Sequence, residues 1–128
     1  MISEYKISQF IALLISDTKK NEVTWHESDN RNVDSLEGEQ LLKGKVFITS
    51  FKEQELRLFK YSQPIQVDEF EYQKTVFVKL EFIEKYSEIS KWAFPSYVRE
   101  LFDLYETVQI KVNNIDTFFD KNFPNLIL

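Results

Sequence analysis

The sequence predicts an α+β domain with an N-terminal helix, an antiparallel meander of three to five strands, and a C-terminal helix packed on one sheet face. Three observations carry this reading. From Ile7, apolar residues fall at Phe10, Ile11, Leu14 and Ile15, the stripe of a helix facing a core. The middle of the chain is rich in β-branched and aromatic residues, and Val76, Val78, Leu80 and Phe82 alternate with Phe77, Lys79 and Glu81. Near the end, Val98, Leu101, Phe102, Tyr105, Val108 and Val112 return to helical spacing.

The first helix is expected from Ser3 to Lys20, with lysines at its negative end and Asn21 suited to a left-handed cap. Val23-Thr24-Trp25 reads as a short strand, and the polar run from Glu27 to Glu39 as a surface loop. Gly44 opens a strand over Lys45–Phe51, Lys52-Glu53-Gln54 turns the chain, and Glu55–Tyr61 completes a hairpin. After Gln63-Pro64 comes a third extended region, whose even-numbered residues Val76, Val78, Leu80 and Phe82 face the core. Asp68–Tyr72 is either a separate strand or its front half. Pro95 holds Phe94 extended and ends the sheet, and Ser96 is placed to cap the second helix. Asn113-Asn114 interrupts, and Ile115, Phe118 and Phe119 suggest a short last helix before Pro124.

Composition narrows the function classes. At 128 residues the chain forms one domain, 1–128, and its twelve Phe, six Tyr and two Trp supply enough buriable area for a core without metal or crosslink. With two Gly and three Pro, a glycine-turned β-sandwich is disfavoured. No cysteine is present, which removes disulfides, thiolate nucleophiles and cysteine-based zinc sites. The N-terminus lacks the pattern of a secretory signal, and the apolar stretch Phe10–Ile15 is far short of a membrane span, so a cytoplasmic protein without a membrane partner is expected.

The pieces LLISDTKKNEVTW, LRLFKY and FPSYVRELFDLYETV followed by NNIDTFFD resemble small uncharacterised proteins of bacterial genomes and prophages, with a helix-strand start and a helical end. The likeness spans most of the chain. It implies the fold and assigns no activity, cofactor or site residue.

Chemistry is sparse. The single histidine, His26, lies beside Glu27 and near Asp29 and Asp34, and one alternative reading is a small metal-assisted enzyme built on them. Adjacent residues on a strand point to opposite faces, so a solvated acidic loop is the preferred reading and no cofactor is expected. Gly38 and Gly44-Lys45 fail as a phosphate loop: five residues separate the glycines, and Val46 stands where Ser or Thr would touch magnesium. A serine nucleophile elbow is missing too.

Residues 41–67 hold five basic against two acidic side chains, so the hairpin is locally positive. Lys43, Lys45, Lys52, Arg57 and Lys60 interleave with Phe47, Phe51, Phe59 and Tyr61, which offers nucleic-acid binding through 43–61 as a second alternative. The net charge of −5 and the alternation of a half-buried strand count against it. The leading expectation is a non-catalytic protein-binding domain of regulatory, inhibitor or immunity type, recognising a basic protein surface through a sheet edge or acidic loop. Trp25, Asp29, Asp34, Glu69 and Glu71 are the candidate binding residues, and a homodimer through a sheet edge is a further candidate assembly.

Overall fold

The computed structural model describes residues 2–126. Helix α1, Glu4–Lys19, begins at Ser3, whose side chain accepts a hydrogen bond from the Lys6 N–H, and Asn21 follows in the left-handed region at φ 61°. Five strands come next: β1 His26–Glu27, β2 Leu41–Phe51, β3 Gln54–Gln66, β4 Tyr72–Ile83 and β5 Ser90–Ala93. They form one antiparallel sheet in the order β1-β2-β3-β4-β5, so every neighbour in space is a neighbour in sequence. Helices α2, Glu100–Val112, and α3, Ile115–Asn122, close the chain.

Alternation along the strands sorts the side chains onto two faces. Leu56 and Leu58 of β3, with Val78 and Leu80 of β4, join Ile7, Ile11 and Leu14 of α1 and Leu101, Leu104 and Val108 of α2 in the main core. That is the α+β arrangement read from the pattern, including the inward-facing even positions Val78 and Leu80. Val76, on the same face, is 43% exposed because it lies beyond the helices' reach. The opposite face carries a second cluster: Val46, Phe59 and Tyr61 are covered by Val33, with Leu36, Leu42 and Phe77 packed around them.

Several boundaries differ from those read off the sequence. The first strand is His26–Glu27, displaced from Val23–Trp25, because Val23 and Trp25 turn into the core instead. Strand β2 starts at Leu41, and Gly44 sits within it where the pairing with β3 slips, at φ 72°. A Cβ there would stand 3.1 Å from the Tyr105 hydroxyl, so the position suits glycine on both counts. Strand β3 runs through Pro64, which pairs with Lys74 beyond the last β2 partner, Leu41 opposite Ser62. Of Asp68–Tyr72 only Tyr72 is strand. Asp68 Oδ1 accepts from the Phe70 N–H and Val67 N–H donates to the Glu71 carbonyl, which folds 67–71 into a tight turn. Ser96 is not the cap of α2: Val98 N–H bonds to the Pro95 carbonyl, the helix opens at Glu100, and Arg99 precedes it without a side-chain cap.

The β2–β3 turn places Lys52 and Glu53 at φ 52° and 67°, in the left-handed region that two-residue hairpins require and that Asn-Gly fills most easily. Each non-glycine residue there costs about 1 kcal/mol. Glu53→Gly is therefore expected to stabilise the domain by about 1 kcal/mol, read as a higher urea midpoint with unchanged slope. An unchanged or lower midpoint would contradict this account of the turn.

Candidate functional site

The polar run after β1 folds across the second sheet face as a strap, residues 28–40, and a single buried cation holds it. Arg57, flanked on β3 by core leucines, points to that face and is 1% exposed; Glu81, opposite it on β4, is fully buried. Arg57 Nε donates to Glu81 Oε1 at 2.9 Å, Nη2 reaches Asp34 of the strap at 2.7 Å, and Nη1 reaches the Glu88 carbonyl at 2.7 Å. Ser35 and Ser90 hydroxyls donate to the two Glu81 oxygens, and the Ser90 N–H donates to Asp34. Glu88, at φ 58°, turns its carbonyl to Arg57 while its carboxylate accepts from Ser28 and Asn30. Strap, β3, β4 and the β4–β5 loop thus meet at one guanidinium. Among the described residues every buried side-chain N and O atom has a partner.

Burial works against ionisation of Asp34, but the Arg57 hydrogen bond, the Ser90 N–H and the Arg57 charge outweigh it and hold the carboxyl below its ordinary 3.8. The network is buried at Arg57 and Glu81 and opens to solvent at Asp34, whose side chain is 40% exposed, and its hydrogen-bonding groups are taken up by one another. It positions the strap.

The expected site residues separate. Trp25 is 5% exposed, and its ring N–H donates to Thr18 Oγ1 at 3.1 Å, so it packs the core rather than lining a surface. Asp34 belongs to the Arg57 network. Asp29 is exposed on the strap. Glu69 and Glu71 stand together at the β3–β4 turn, away from the other three. His26 does not gather ligands: Asp34 is committed elsewhere, Glu27 pairs with Lys45 at 3.5 Å, and among the described residues no group of three His, Cys, Asp or Glu is placed to hold a metal. In the basic hairpin, Phe47 and Phe59 are fully buried, Tyr61 nearly so, and Arg57 is neutralised inside, so the ring faces needed to stack bases are used internally.

What the fold leaves open is the far end of its longest hairpin. From 63 to 75, β3 and β4 pair only with each other as a two-stranded arm; Gln40 of the strap donates to Gln63 at its root, and the part beyond Pro64 projects past the sheet. The Phe94 N–H donates to the Leu80 carbonyl, so even-numbered residues of β4 turn their backbone groups away from β3. By that alternation Tyr72, Lys74 and Val76 present an edge to solvent. The opposite edge is protected, because by the same alternation Pro64 occupies an outward position of β3 and has no N–H to offer. Phe70 at the tip is 89% exposed, Tyr72 66% and Val67 52%, with Asp68, Glu69 and Glu71 among them.

A second apolar feature lies at the other end of β4. Phe10, Phe82, Trp92 and Phe94 wall a groove of about 320 Å³ beside β5, with Lys6 as its cation. The rings pack edge to face, Trp92 to Phe94 at 4.6 Å and Phe82 to Phe94 at 5.5 Å, while Phe10 stacks on Phe94 at 5.5 Å.

No family model, curated protein or solved structure matches this chain. Sequence reading missed Arg57 and Glu81 as partners and Phe70 as an exposed ring. The available signals were a charge at Arg57 between two leucines and a phenylalanine set among three acids.

Removing one partner from the buried network strands another, so Arg57→Met should destabilise the fold by about 3–5 kcal/mol in chemical denaturation. A loss under 1 kcal/mol would contradict the structural role given to Arg57. Because the Asp34 pKa is depressed on folding, its contribution is present above pH 3.8 and is lost as pH falls through the lower folded value. The stability gap between the native protein and Asp34→Asn is thus expected to be open near neutrality and to close in acid. A pH-independent gap would rule out the ionised contact as its source.

Proposed function

We propose that the domain is a non-catalytic protein-binding module whose arm, residues 63–75, engages a basic and partly apolar protein surface. The carrying observation is Phe70, 89% exposed at the end of a hairpin and set among Asp68, Glu69 and Glu71. An exposed ring costs solvation unless a partner covers it, and aromatic anchors of this type concentrate binding energy. The neighbouring carboxylates add long-range attraction to a cationic partner, and the open edge at Tyr72, Lys74 and Val76 can accept a strand. Glu69 and Glu71 are thereby the binding residues of the arm. Asp29 lies on the strap, which is fixed, and plays no part in this contact. A regulatory or inhibitory role is in keeping with a module that works by presenting a surface.

Phe70→Ala together with Glu71→Lys tests this. The native chain, used as bait in lysate of the cell that encodes it, should retain a protein whose recovery falls as salt rises. The double variant should lose at least tenfold of it while its unfolding free energy stays within about 0.5 kcal/mol, as exposed positions allow. Equal recovery by the variant would refute the arm as the binding element.

A further inference from the structure

We infer that the arm's partner is the aromatic groove of a second copy of this chain, so that molecules associate head to tail. This rests on the arm being a binding element, and it adds the identity of the surface it binds. The two features are complementary in shape and sign. The arm offers one phenyl ring, Phe70, with three carboxylates within two residues of it. The groove offers about 320 Å³ walled by four aromatic rings, and the only charge among the described residues lining it is the Lys6 ammonium. A ring entering that space finds edge and face partners already arranged, and Trp92, 38% exposed, is the wall it would cover. The acidic residues beside Phe70 would then meet Lys6, whereas groove-to-groove pairing would set two Lys6 ammoniums against each other.

The geometry makes the contact intermolecular. Tyr72 opens β4 and Phe82 lies next to its last residue, and the ten residue steps between them span roughly 33 Å at about 3.3 Å per residue. An arm cannot reach its own groove. Because donor and acceptor surfaces differ, the interface is heterologous: a copy with an unused arm and a copy with an unused groove remain at the ends unless the chain of contacts closes. The β5 edge beside the groove is also free on its outer side, which leaves space for the incoming hairpin.

Sedimentation of the full chain tests the inference with two variants that each disable one side. Phe70→Ala keeps the groove, and Lys6→Glu keeps the arm. The native protein should show concentration-dependent association that weakens with salt, and each variant alone should sediment as a monomer. Mixing the two should restore association only as far as a dimer, because one intact arm meets one intact groove. A synthetic peptide of residues 66–73, Gln-Val-Asp-Glu-Phe-Glu-Tyr-Gln, should shift the tryptophan fluorescence of the Phe70→Ala variant, a shift lost when Trp92 is also replaced by Phe, and compete in the mixture. A native protein that is monomeric at all concentrations, or association untouched by both variants, would overturn the inference. If the native chain is monomeric yet loses a different captured protein on Phe70→Ala and Glu71→Lys substitution, the head-to-tail contact is refuted and the arm's binding role stands. If that capture is unaffected as well, both fall.

Discussion

One guanidinium decides how this sheet is covered. Arg57 reaches from β3 to Glu81 on β4, to Asp34 on the strap and to the carbonyl of Glu88, so three segments distant in sequence are tied at a single point. A fully buried Glu81 would be very costly without that cation, and the two serine hydroxyls that bond it complete its shell. Such a network is weak evidence of net stabilisation, since hydrophobic replacements often do as well. Its geometric consequence here is to fix Asp34 beside β3 and β4, with Val33 and Leu36 of the strap packed over Phe59, Tyr61 and Phe77.

Covering the second face has a consequence for what the molecule can present. Helices α1 and α2 seal one side, the strap seals the other, and most of the aromatic side chains in the body of the sheet become interior. Beyond residue 62 β2 pairs no further; the end of the strap still reaches the root of the hairpin, where Gln40 donates to Gln63 Oε1, and the tip beyond Pro64 lies past it. Its Pro64 closes one edge by lacking a donor, and Lys74 places a charge on the other, two devices that limit indiscriminate strand pairing. What remains is an apolar tip framed by acids, a surface selective by sign.

Legibility followed the physics of each element. The helical stripes of α1 and α2 and the alternation in β4 are local patterns, and the sequence displays them directly. The strap has the local pattern of a solvated loop, because its anchors Arg57 and Glu81 come from strands far along the chain and nothing local to Asp34 shows them. Similarly, Trp25 is a candidate binding residue by its type, and what takes it out of that role is Thr18, seven residues back on α1, which accepts its ring N–H inside the core. Glu69 and Glu71 were singled out from charge alone, whereas their setting on a projecting arm depends on where β2 stops pairing. The hairpin turn is legible without a glycine, since apolar and aromatic strand residues flank it, but it is one residue tighter than the expected Lys52-Glu53-Gln54: Gln54 opens β3 opposite Phe51.

The account divides the molecule into a pinned strap and an open arm, and amide hydrogen exchange resolved by residue tests that division most directly. The account predicts slow exchange at Gln73, Thr75 and Phe77, which pair with β3, and fast exchange at Tyr72, Lys74 and Val76 in the dilute, unassociated protein, with the Ser90 N–H protected by Asp34. Uniform protection along both sets of β4 amides, or exchange at Ser90 as fast as at the arm's outer edge, would contradict it.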